Sequence, residues 1–208
     1  MIRILIADDH AIVRQGLRQI LHLEPEMELV AEATNGNQVL DLLKKQNIDI
    51  VILDLTMEGR NGLETLNEIR RQYPRVNVIV LSMHRSDQYA VRALKAGAVA
   101  YISKDSATDD LVEAIRRASR GEKYINPEVA QLFAEYVIRG TDEPHRQLSD
   151  REFEVFRMIA MGKGLTEISR ELNLSVKTIS TYKTRILEKT GLASNSDITR
   201  YVVDHGLM

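Results

Sequence analysis

A chain of 208 residues with a net charge of −2 is long for one small domain and comfortable for two. Its composition, 44% hydrophobic and 28% charged, is that of an ordinary globular protein, and the absence of cysteine excludes disulfides and thiolate metal sites. No apolar run approaches the roughly 18 residues of a membrane span, and no basic stretch with an apolar core marks a signal peptide, so the cytoplasm is the expected compartment. Residues 146–208 carry ten Lys and Arg against eight Asp and Glu, and the remainder carries 18 against 22. That asymmetry is too mild to argue for nucleic acid by itself.

The first 120 residues alternate between two patterns. Short β-branched runs, "RILIAD", "ELVAEA", "IDIVILD", "VNVIVLS" and "AVAYIS", predict five strands. Between them lie amphipathic stretches with helical spacing, such as Ile12, Leu17, Ile20 and Leu21, then Val39, Leu42 and Leu43. Gly97 and Pro74 punctuate two of the helices. Strands separated by helices imply a parallel sheet covered on both faces, a doubly wound, flavodoxin-like α/β fold. A further helix is expected over residues 127–138, with Pro127 in its first turn. "RGTDEPHRQ" then reads as a polar linker. From Leu148 onward the pattern is helical, in four short pieces. The expected division is residues 1–122, a helix and linker over 123–146, and an all-α four-helix domain over 147–208.

Polar residues recur at the strand ends. Asp8 and Asp9 close the first run, Asp54 the third, Ser82 the fourth, and Lys104 follows the fifth. In an open parallel sheet, ligands bind outside the carboxyl ends of the strands. Two adjacent acids repel one another unless a cation lies between them. With Asp54 they form an oxygen set suited to Mg²⁺. Asp54 is then a candidate nucleophile toward phosphorus, with Lys104 neutralising phosphoryl oxygens and the Ser82 hydroxyl bonding one of them. The bland alternative makes Asp9 an N-cap for a helix starting near Ala11 and Lys104 a solvated loop residue.

"DD", "DLTM.G.NGLE", the strand-end Ser and "Y.SK" together resemble a response-regulator receiver domain, over residues 1 to about 120. The resemblance implies Asp54 as phosphoacceptor. It implies Asp9, Asp54 and the Thr56 carbonyl as direct Mg²⁺ ligands, with Asp8 acting through water, and Ser82 with Tyr101 as a switch pair. Without the resemblance, Tyr101 is a half-buried packing residue on a strand. Two positions depart from the common pattern: Glu58 stands where Pro is usual, and Asp105 rather than Pro follows Lys104. Thr56 and His84 flank the expected path of a water attacking the phosphoryl group.

In the last third, Ser149 and Glu152 form a capping-box pattern. Gly162 and Gly164 interrupt the helix it starts, and a short helix is expected over residues 167–172. Ser175 caps the next helix, Gly191 ends it, and Ser194 with Asp197 starts the last. Two helices joined by a tight turn match a helix-turn-helix. On the helix from Val176, the apolar face is Val176, Ile179, Tyr182, Ile186 and Leu187. The opposite face is Lys177, Thr181, Thr184, Arg185 and Glu188. Lys183 falls near the apolar side, so its stem must snorkel outward.

"LS.RE.EV......GK...EI...L..S.KT.STYK.RI..K" resembles the LuxR-type helix-turn-helix of NarL/FixJ regulators. Gly164 and Leu165 replace the Ser and Asn often found there. The resemblance puts residues 175–189 in the major groove of double-stranded DNA. Lys177, Ser180, Thr181 and Thr184 are the candidates for base edges or nearby phosphates, and Lys183 and Arg185 for phosphates. It also implies a partner histidine kinase, an inactive form with the receiver docked over the reading helix, and a homodimer on a two-fold-related site. The last helix, near Ile198, Tyr201 and Val202, either supplies the dimer contact or closes its own domain's core.

The expected function is a phosphorylation-controlled, DNA-binding transcriptional regulator that accepts phosphoryl without being a turnover enzyme. One rival is an Asp-dependent phosphohydrolase, which needs a second acid at the position of Thr56. The other is a regulator whose receiver acts without phosphate, as a docking or ligand-binding module, to which Glu58 gives a small foothold.

Overall fold

The computed structural model describes residues 1–57, 61–83, 87–104, 107–139 and 143–207, with the backbone alone at 87–88, 107–109 and 135–139. Glu58, His84, Asp105 and Gly140 lie outside the described residues. Residues 86–88 aside, the chain divides into two compact units, the first running to Gln131 and the second from Leu132.

The first unit alternates strand and helix: β1 (Ile2–Ala7), α1 (Ala11–His22), β2 (Met27–Ala33), α2 (Gly36–Lys45), β3 (Ile50–Asp54), α3 (Gly62–Gln72), β4 (Asn77–Ser82), α4 (Asp87–Lys95), β5 (Ala100–Ser103) and α5 (Ala107–Ser119). The strands pair in parallel in the order β2-β1-β3-β4-β5. Strand order therefore reverses between β1 and β3, where doubly wound sheets bind their ligands. β3 is buried along its whole length, as a central parallel strand with both faces covered must be. Ile4, Ile6, Ile50, Ile52, Ile79 and Leu81 face Leu17, Leu21, Leu111 and Ile115 in one core. The alternate residues Leu5, Val51, Leu53, Val78 and Val80 are buried on the other face.

Two details of the helical reading change. Ile12, assigned to the inward face of α1, is 81% exposed; α1 buries Leu17 and Leu21, and Ile12 sits in the first turn, off that stripe. Asp9 does not cap α1. His10 is the N-cap residue, and it makes no side-chain cap bond.

α6 (Pro127–Arg139) carries the boundary between the units. The second unit then holds a 3₁₀ turn (Pro144–Gln147), α7 (Asp150–Ala160), α8 (Leu165–Glu171), α9 (Val176–Thr190) and α10 (Asn195–Asp204). The latter half of the expected linker is thus folded. Pro144 sets the first turn, and His145 is fully buried with its Nδ1 3.0 Å from the Tyr201 hydroxyl. α8 starts two residues before its expected position, with Gly164 as N-cap. The core is Phe153, Phe156, Ile159, Ile168, Ile179, Ile186, Ile198 and Val202. Ile198 and Val202 are fully buried in their own unit, so that face of α10 closes the core, as one of the two readings held. Val176, expected to point inward, is 44% exposed because it opens the first turn of α9, beyond the reach of that core.

Candidate functional site

Strand register brings the polar residues together. Ala7 lies opposite Leu53, so Asp8 and Asp54 leave the sheet side by side. Asp54 lies opposite Leu81, and Ser82 opposite Ser103, so the residues that follow close the same end. Asp8, Asp54 and Ser82 are buried. Lys104 spans the two acids, with Nζ 2.6 Å from Asp8 Oδ2 and 2.7 Å from Asp54 Oδ2. The other Asp54 oxygen, Oδ1, accepts from Thr56 N at 3.1 Å and Thr56 Oγ1 at 3.2 Å. Tyr101 is buried on β5 opposite Val80.

Burial pushes the Asp54 carboxyl above its ordinary range, and the Lys104 ammonium and Thr56 N–H only partly offset that. Burial alone would lower Lys104, but Asp54 and Asp8 outweigh it and hold the ammonium above its ordinary value. One buried ammonium therefore serves two buried carboxylates, with Asp9 close by.

In the second unit, Ser175 caps α9 by accepting from Thr178 N at 3.0 Å, and Gly191 ends the helix in the left-handed conformation at φ 70°. Lys177, Ser180, Thr181, Thr184 and Arg185 are all exposed, and Lys183 is half-buried, as its place beside the apolar face demands. The Thr181 and Thr184 hydroxyls donate to the carbonyls of Lys177 and Ser180, at 3.0 and 3.1 Å. Their oxygens are thereby left to act as acceptors toward an external partner.

The response regulator receiver domain family matches residues 4–116, and the bacterial regulatory proteins, luxR family, match residues 146–202. The response regulator UvrY of Escherichia coli (strain K12) is 35% identical over 209 aligned positions, covering 100% of this chain and 96% of UvrY. Two solved structures of RcsB are similar over nearly the whole chain. That of RcsB from Salmonella enterica serovar Typhimurium, bound to promoter P1flhDC with the phosphomimetic BeF3-, has a TM-score of 0.70 at 29% identity, covering 97% of this chain and 98% of that one. That of two RcsB dimers bound to two parallel DNAs has a TM-score of 0.63 at 29% identity, with the same coverage.

The chain belongs to the NarL/FixJ family of response regulators. It is a DNA-binding transcriptional regulator controlled through its receiver, and its family is not one of turnover enzymes. Among the described residues, no helix of this response regulator is long and apolar enough to cross a membrane.

Its acidic end fits a hard divalent cation. Ligand atoms of Asp8, Asp9, His10 and Asp54 all lie within 4.8 Å of one another. Asp9 Oδ1 is buried without a hydrogen-bond partner among the described residues; His10 Nδ1 lies 2.7 Å away, outside hydrogen-bond geometry. A set of carboxylate oxygens with excess negative charge is the donor chemistry of Mg²⁺ and its kin.

Four parts of the regulator's sites escaped the sequence reading. His10 donates its backbone N–H to Asp8 Oδ1 at 2.8 Å, and Arg14 donates to the Asp8 carbonyl at 2.8 Å. Asn61, buried, caps α3 by accepting from Leu63 N at 2.7 Å. At Gly62 a Cβ would stand 2.4 Å from Leu55 Cα and 2.6 Å from the Asp54 carbonyl oxygen, so only glycine lets α3 start against the back of Asp54. The "NG" in "NGLE" was the available signal for both Asn61 and Gly62. Nothing local in the sequence marks His10 or Arg14.

Proposed function

We propose that Asp54 receives a phosphoryl group from a histidine kinase and that this event sets the regulator's affinity for DNA. A carboxylate oxygen of Asp54 forms the bond to phosphorus as the P–N bond of the donor phosphohistidine breaks, and the electron pair leaves with the imidazole nitrogen. Lys104, already bridging Asp8 and Asp54, stands where it neutralises the incoming phosphoryl oxygens. Ser82 hydrogen-bonds one of these oxygens, and Tyr101 moves with it. Asp9, Asp54 and the Thr56 carbonyl would hold Mg²⁺, with Asp8 acting through water. When bound, the cation supplies further charge neutralisation at the phosphoryl group. Slow hydrolysis of the acyl phosphate resets the protein.

Phosphorylation shifts a pre-existing equilibrium of the receiver, residues 1–122. The segment 123–146 passes that shift to residues 147–208, which pair on a two-fold-related DNA site. There α9 enters the major groove, with Lys177, Ser180, Thr181 and Thr184 toward the bases and Lys183 and Arg185 on phosphates. The RcsB structure bound to a promoter in the presence of the phosphomimetic BeF3- supports this reading.

The observation that carries the proposal is the buried contact of Lys104 with both Asp8 and Asp54 at the strand ends. Incubation with acetyl phosphate and Mg²⁺ followed by intact mass measurement tests it. One added phosphoryl group is expected on the wild type and none on Asp54→Asn. Phosphoryl retained by Asp54→Asn, or turnover of an added phosphomonoester, would overturn it.

A further inference from the structure

Lys189 is one of four cations between Lys177 and Lys189 on α9, and by charge alone it belongs with the DNA contacts. Its surroundings say otherwise. Lys189 Nζ lies 2.6 Å from Glu152 Oε2 on α7. The same oxygen accepts the Ser149 backbone N–H at 2.8 Å, while Ser149 Oγ accepts from Glu152 N at 3.3 Å. Glu152 is buried. It therefore closes the capping box of α7 and receives the last turn of α9 with one carboxylate. Burial alone would raise the Glu152 carboxyl, yet Lys189 and Ser149 hold it below its ordinary value, so it is charged and engaged at neutral pH.

The placement matters because of leverage. The buried residues of α9 include Ile179 and Ile186, apolar contacts that choose its inward face but are non-directional. A charge-assisted hydrogen bond is directional. It sits at the C-terminal end of α9, while the candidate base-reading residues occupy the N-terminal half. From Lys189 back to Ser180 the helix rises about 14 Å, so about 10° of tilt at the anchor moves the reading side chains by about 2 Å.

We propose that Lys189 is a positioning residue for DNA recognition: its ion pair with Glu152 fixes the angle at which α9 is presented, and it does not contact phosphate. The inference rests on the reading of α9 as the groove-entering helix. A phosphate-binding lysine and a positioning lysine differ in salt dependence, because only the first releases counterions on binding.

The test measures the affinity of the full-length chain, over a salt series, for a duplex recovered by the wild type from a random-sequence pool. The expected results are as follows: Lys189→Gln weakens binding about tenfold with an unchanged salt slope. Glu152→Gln weakens it to a similar extent, the double variant is no worse than either single one, and Lys189→Arg restores wild-type affinity. Lys183→Ala, the phosphate contact, lowers the slope by about one. A slope lowered by about one in Lys189→Gln overturns the proposal, as does tighter binding in Glu152→Gln, which would mean that the freed lysine had reached DNA. Unchanged affinity and slope in Lys183→Ala and Arg185→Ala would instead sink the placement of α9 in the groove. If Lys189→Gln fails to fold by circular dichroism, Glu152→Gln, whose amide oxygen still accepts from Ser149, carries the test.

Discussion

The two ends of this regulator use charge in opposite ways. At the C-terminal edge of the sheet, Asp8, Asp54 and Lys104 are nearly sealed from water. On α9, Lys177 and Arg185 stand exposed. Buried charges are costly and respond strongly to one added or lost charge, which suits a receiver of a single phosphoryl group. Exposed charges cost little and add little to stability, which suits a surface that meets a polyanion. A lysine is therefore part of a costly buried cluster in one unit and of an exposed display in the other.

Substitutions that unbalance the sealed charges should separate the two regions most. Lys104→Ala leaves Asp8 and Asp54 without their ammonium and should cost about 3 to 5 kcal/mol of first-unit stability, read by urea unfolding. Lys183→Ala should change second-unit stability by no more than about 0.5 kcal/mol. Equal losses would erase the contrast. Gly62→Ala should cost about 1 to 3 kcal/mol, because its methyl group meets backbone at Leu55 and Asp54, and it should also slow phosphoryl uptake by displacing Asp54. Asp54→Asn, which removes one of two carboxylates competing for Lys104, should instead stabilise the unliganded protein by about 1 kcal/mol in a thermal melt. A large loss would show that the pair is net favourable.

The smallest effect concerns pH in the second unit. Glu152 is held below its ordinary value of 4.5. Its contribution to stability is fully present above that value and is lost as pH falls through the lowered one. Glu152→Gln should flatten this acid limb of the second unit's unfolding curve and lower stability by a pH-independent amount above pH 6. An unaltered limb would detach Glu152 from the acid response.

Much of this was legible in the sequence for physical reasons. Buried parallel strands must be apolar runs, which made β3 and β4 plain, and even β2, mostly half-buried, kept enough apolar residues to be visible; parallel register then brought Asp8, Asp54, Ser82 and Lys104 to one edge. Caps were equally legible: Ser149 with Glu152, Ser175 and Ser194 each accept the expected backbone N–H. What escaped depends on contacts distant in sequence. Periodicity put Ile12 and Val176 inward, but both lie in first turns, apart from the buried residues of their helices, and stand exposed. "PHRQ" looked like linker because His145 needs Tyr201, more than fifty residues later, to satisfy its imidazole. Lys189 was given no role in the sequence because its partner Glu152 lies on another helix.

The most direct measurement of the central claim is DNA affinity by fluorescence anisotropy, with and without beryllofluoride and Mg²⁺, for the wild type and Asp54→Asn side by side. The account predicts that the phosphomimetic tightens binding of the wild type alone. Equal affinities of the wild type in the two conditions, or an equal gain in Asp54→Asn, would contradict it.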